Sequence, residues 1–121
     1  MHVPLMIDEA FYQDLMVREN NSYTILLEFI DSLDTFLDLT DYKIRIVCFT
    51  KGKQTTPTIE FSSDLGDFIN TGTGNFLWNI EGSRTRDKQG SYIYHADLVH
   101  STTGKEATFM YGMFTVINKN G

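Results

Sequence analysis

The strongest constraint on the fold is the two-residue rhythm of residues 42–51, YKIRIVCFTK. Tyr42, Ile44, Ile46 and Cys48 fall on one side, with Lys43, Arg45 and Lys51 on the other. Successive side chains of a strand point to opposite faces, whereas a helix would scatter this pattern around its circumference. The same rhythm places Tyr23, Ile25, Leu27 and Phe29 together, then Phe76, Trp78 and Ile80, then Tyr92, Tyr94, Ala96 and Leu98. A closing strand is expected over about residues 107–117, where Gly112 interrupts the side-chain rows and marks a candidate bulge. Pro57 has no N–H for a ladder, so residues 58–62 read as a short edge strand with Ile59 and Phe61 inward.

Turn chemistry separates these runs. TGTGN at residues 71–75 and HSTTGKE around Gly104 read as hairpin connections, and DSLDTFLDLTD is rich in self-capping Asp and Thr. In that loop Leu33, Phe36, Leu37 and Leu39 are expected to pin the chain to the core. About seven strands at short spacing predict an all-β fold, an antiparallel immunoglobulin-like β-sandwich, with a small closed barrel as the alternative. At 121 residues there is room for one domain. Residues 1–20 are read as an N-terminal arm carrying the first strand, with any helical period confined to the first fifteen residues, and residues 21–121 as the sandwich.

Charge narrows the function. Sixteen acids against ten bases give −6, which argues against a nucleic-acid partner. The imbalance is local: residues 1–42 hold nine acids and only Arg18 among the bases, while the remainder is slightly basic. The acidic third therefore reads either as a solvated rim or as a contact for a basic partner, another copy included. A single cysteine, Cys48, rules out an internal disulfide and suggests synthesis in a reducing compartment. MHVPLMIDEAF lacks a secretory pattern and no apolar run is long enough for a membrane helix, so a soluble, unexported chain with no membrane partner is expected.

No constellation points to an enzyme. His95 and Asp97 share a strand face at a spacing that offers two metal ligands, but no third ligand accompanies them, and a polar pair is the plainer reading; His100 reads as a solvated loop residue. Asp31, Asp34, Asp38 and Asp41 present oxygens without the spacing of a calcium loop. Gly72 and Gly74 lack the lysine and helix of a phosphate loop, and no serine sits in a G-x-S-x-G turn. Cys48 is in phase with the core. No catalytic residue, metal or cofactor is therefore expected. Trp78, Tyr92, Tyr94 and Tyr111 are candidates for a sugar-stacking platform, although Trp78 alternates in phase with core residues.

Gly90, Ser91, Tyr92, Ile93 and Tyr94 resemble the tyrosine corner of immunoglobulin-like domains, with Tyr94 at the place of the second cysteine. That resemblance implies a structural corner of Gly90, Tyr92 and Tyr94, the Tyr92 hydroxyl tying back to the preceding backbone. A wider likeness runs through SYTILLEFI, LDLTDYKIRIVCF, GNFLWNIEG, DKQGSYIYHADLV and FMYGMFTV. Asp38, Leu39 and Thr40 with Tyr42, the Gly90 to Tyr94 segment, and Gly112, Phe114 and Val116 carry it. In these features the chain is similar to the small β-rich virion proteins of tailed bacteriophages, in particular the amino-terminal domains of upper baseplate and fibre-attachment proteins. The resemblance implies a structural virion protein made in the host cytoplasm. It would be an oligomeric component of the tail, baseplate, neck or fibre attachment, meeting other virion proteins and copies of itself; a capsid decoration protein or a carbohydrate- or receptor-binding module is the alternative. The expected contact surfaces are residues 1–20, the edge at Thr58, Glu60 and Ser62, and the basic set Lys43, Arg45, Lys51 and Lys53.

Overall fold

Burial follows the rhythm along the long strands in the computed structural model, which describes residues 2–5, 10–30, 38–52, 57–72 and 74–118, with Val47 and Asp97 the outward positions that are also buried in β5 and β9. Ten strands occur among them: β1 (His2–Leu5), β2 (Phe11–Tyr12), β3 (Leu15–Arg18), β4 (Tyr23–Phe29), β5 (Tyr42–Thr50), β6 (Ile59–Ser62), β7 (Phe68–Gly72), β8 (Asn75–Ile80), β9 (Gly90–His100) and β10 (Glu106–Ile117). They form a four-stranded sheet in the order β1-β4-β8-β7 and a six-stranded sheet in the order β2-β10-β9-β5-β6, with β3 also on β10. The chain is an all-β sandwich.

Its core is the set of side chains that the alternation turns inward. Ile25, Leu27 and Phe29 of β4 and Phe76, Trp78 and Ile80 of β8 face Ile44, Ile46 and Cys48 of β5, Phe61 of β6, Tyr94 of β9 and Phe114 of β10. Aromatic rings bridge the layers. Phe61 meets Trp78 edge-on at 5.2 Å and Phe29 meets Phe109 at 4.9 Å, geometries that favour contact of ring edge and ring face. Trp78 is fully buried and also stacks on Phe68 at 5.7 Å.

Four expectations meet a different outcome. The strands number ten among the described residues, not about seven, because β7 and the short strands before residue 19 carry too few residues to show a period. The sheets are mixed, not purely antiparallel: β1 runs parallel to β4, and β2 and β3 run parallel to β10. Residues 1–20, expected as an arm carrying the first strand, supply β1 to the smaller sheet and β2 and β3 to the larger, with Leu15 and Val17 in the core. The bulge of β10 lies between Thr108 and Met110, which turns both Phe109 and Met110 inward, and not at Gly112. Gly112 serves a close approach instead. Its φ is +150°, and a Cβ there would stand 2.7 Å from the Gln13 carbonyl oxygen.

Candidate functional site

The expected edge strand lies at the side of the six-stranded sheet, as β6 beside β5 with Ile59 opposite Cys48. Part of its outward backbone is occupied within the chain. Arg84 donates through Nη1 to the Glu60 carbonyl at 3.1 Å. The Ser62 N–H donates to Asp67 Oδ2 at 3.0 Å, and the Ser62 carbonyl accepts from the Leu65 and Asp67 N–H groups. Arg84 Nη2 closes the arrangement on Asp67 Oδ1 at 2.9 Å. The Glu60 carbonyl and both backbone groups of Ser62 are thus spent within the chain, which leaves less of this edge to template strand addition. Asp67 is buried, and that burial holds its carboxyl above the usual range despite the Ser62 N–H and the Arg84 guanidinium, which act in the opposite direction.

The basic set is divided. Lys43 pairs with Asp64 at 2.8 Å and Arg45 with Glu60 at 2.9 Å, so both charges are met within the chain. Thr58 shares a hydroxyl hydrogen bond with Thr50 at 2.9 Å. Lys51 is exposed at the turn after β5, and Lys53 lies outside the described residues. So do Asp31, Asp34, Leu33, Phe36 and Leu37, whereas Asp38 caps its own turn by accepting from the Thr40 N–H and hydroxyl. Those two bonds hold its carboxyl below the usual range.

At the corner, Gly90 opens β9 with φ +139°, and the Tyr92 hydroxyl donates to the Lys88 carbonyl four residues back at 2.7 Å. Tyr94 reaches across the fold instead, and its hydroxyl donates to the Gln13 carbonyl between β2 and β3. Burial pushes both phenols up, so each remains a donor. Two rings of one motif thus fasten different segments.

The outer face of the six-stranded sheet escaped the sequence reading. Register aligns Tyr12, Tyr111, His95 and Val47 in one row and Met113, Ile93 and Phe49 in the next. Tyr12 and Tyr111 are 55% and 43% exposed and meet edge-on at 5.3 Å. His95 stacks on Phe49 at 5.8 Å. Beneath it, buried Asp97 accepts from the Thr108 hydroxyl at 2.6 Å and faces His95 Nδ1 at 3.1 Å. The available signal was the polar side of the alternation, where Val47, Phe49 and Ile93 stand in place of charges.

Of the proposed sugar-stacking rings, Trp78, Tyr92 and Tyr94 are buried and only Tyr111 is exposed. Cys48 is fully buried, and desolvation raises its thiol far above the range in which it ionises. Among the described residues no group of three or more His, Cys, Asp or Glu side chains could hold a metal ion. An open niche of about 370 Å³ lies beside Tyr42, Leu98 and His100, but His100 Nδ1 already accepts from the Thr102 and Thr103 N–H groups at 3.3 and 3.2 Å. No helix among the described residues is long and apolar enough to cross a membrane.

No protein-family model and no curated protein matches the chain. Among solved structures, the N-terminal domain of phage TP901-1 ORF48 is similar over 95% of this chain and 95% of that one, with a TM-score of 0.59 and 10% identity. The chain shares the fold of a phage protein domain. At that identity the likeness is one of architecture, and it spans the whole sandwich.

Proposed function

We propose that this chain is a non-enzymatic structural protein of a tailed phage particle, an oligomeric assembly component of the tail, baseplate, neck or fibre attachment. The observation that carries the reading is the end-to-end likeness to a phage domain, which covers 95% of both chains. The virion resemblance of the DLT, G-x-Y-x-Y and G-x-F-x-V segments supports it from the sequence side. The site chemistry agrees. The polar clusters are spent on holding backbone in place, as at Asp67 with Arg84 and at Tyr94 with Gln13, and the exposed feature is a broad face suited to protein contact. Partners are then other virion proteins and further copies of the chain, in the assembled particle. The carbohydrate-binding alternative is weakened, because three of its four rings lie in the core.

The test is immunogold labelling of density-purified particles of the phage that encodes the chain. Label concentrated at one end of the tail supports the reading; label on the head shell moves the protein to capsid decoration; particles free of the chain overturn the virion role.

A further inference from the structure

We infer that the outer face of the six-stranded sheet is the docking surface for a second copy of this chain, an assignment that rests on the oligomeric part of the reading above. The face is apolar where a sheet surface meeting water would be polar: Tyr12, Tyr111, Met113, Ile93 and Phe49 form adjoining rows around His95. Clustered exposed rings on a flat face are characteristic of contact surfaces, whereas isolated apolar residues are ordinary.

Charge selects an identical copy. The chain carries −6, so two copies repel in general. On this face Lys43 is met by Asp64 and Arg45 by Glu60, and the buried Asp97 carboxylate is hydrogen-bonded by Thr108 and His95, while Arg18 beside Ile117 and Glu106 beside Val99 stand exposed at opposite ends of β10. A twofold-related copy with its strands reversed presents the same apolar rows to itself and sets each exposed Arg18 toward the other copy's Glu106. The lateral edges favour a face-to-face contact. Arg84 and Asp67 occupy the backbone of β6, and on the opposite side Tyr23 accepts from the Arg18 N–H at 2.9 Å and Gln13 Nε2 donates to the Asp14 carbonyl at 2.8 Å.

The area is sufficient. Five strands abreast span about 24 Å, and six residues along β9 span about 20 Å, so each copy offers roughly 500 Å² before side-chain relief is counted. Pairing two such faces buries about 1,000 Å² in total, the lower bound for a specific interface.

Sedimentation equilibrium of the full chain, carried up to about 100 μM, tests this together with Tyr111→Lys, Phe49→Lys and, on the outer face of the other sheet, Ile69→Lys. The expected result is a wild-type dimer, weakened about tenfold or more by Tyr111→Lys and Phe49→Lys and unchanged by Ile69→Lys. Emission from buried Trp78 reports that each variant is folded; Tyr111 is exposed, so its variant keeps the test open if Phe49→Lys fails to fold. A wild-type chain that stays monomeric overturns the assignment, and so does a dimer that ignores Tyr111→Lys. The two failures differ: the second leaves the oligomeric reading intact with its contact elsewhere, and particle labelling scores the virion role separately.

Discussion

The two lateral edges of the six-stranded sheet are closed by opposite means. At β6 the closure is electrostatic: a buried carboxylate, Asp67, and the guanidinium of Arg84 take up the outward backbone of Glu60 and Ser62. At the far side the closure is covalent continuity, since β2 and β3 of the same chain lie along β10, with the Asp14 carboxylate accepting from the Met113 N–H and Tyr94 holding Gln13. One edge is blocked by side chains, the other is filled by strand. The contrast explains why Gly112 is needed on one side only: strand filling brings backbone against backbone, and a side chain at the point of approach has nowhere to go.

Substitutions at three points break this comparison. Gly112→Ala carries the largest effect. It places a Cβ 2.7 Å from the Gln13 oxygen in a backbone conformation that alanine resists, and should cost about 3 kcal/mol. Urea unfolding gives the loss, and faster hydrogen exchange at the Leu15 and Val17 amides, with β6 unaffected, shows that it is confined to the strand-filled edge.

Arg84→Ala comes next, at about 2 kcal/mol, because it leaves the buried Asp67 carboxylate without its countercharge. Asp67 is held above its unfolded value, so the folded chain binds that proton more tightly. Its contribution to stability is fullest below the ordinary carboxylate range and falls as pH rises through the window between the unfolded and folded values. Arg84→Ala should raise the Asp67 carboxyl further and steepen that fall; Asp67→Asn should remove it. Carboxyl chemical shifts followed through an acid titration, with unfolding curves at each pH, check both signs.

Tyr94→Phe should have the smallest effect, about 1 kcal/mol, from one lost hydrogen bond to the Gln13 carbonyl with ring packing retained. Thermal unfolding gives the magnitude. A loss equal to that of Gly112→Ala would mean that the tyrosine, and not the glycine, seats the N-terminal strands.

Legibility followed the source of each signal. The long antiparallel strands β4, β5, β8, β9 and β10 were readable, with their inward residues, because alternation over six or more residues is a local property. β2 and β3 were not, since two and four residues hold no period and their strand state is decided by β10, nearly a hundred residues away. β7 was hidden behind the TGTGN turn, whose first two residues, Thr71 and Gly72, belong to the strand. The Tyr92 anchor was legible from a local motif, but the Tyr94 contact with Gln13 spans 81 residues and leaves no mark in the neighbouring sequence. The outer face was half legible: Tyr111 was singled out as a contact ring, while Phe49, Ile93 and Tyr12 come together only through strand register.

The parallel run of β3 on β10 also fixes how the domain responds to mechanical load. Leu15 sits opposite Phe114 and Arg18 opposite Ile117, so the chain enters one strand and leaves its neighbour at opposite ends of the pair. Tension applied across the start of β3 and the end of β10 slides these strands past each other and strains their hydrogen bonds simultaneously, where an antiparallel pair pulled from one end would peel bond by bond. Rupture under force is governed by the unfolding barrier, and a clamp sheared as a unit keeps that barrier high.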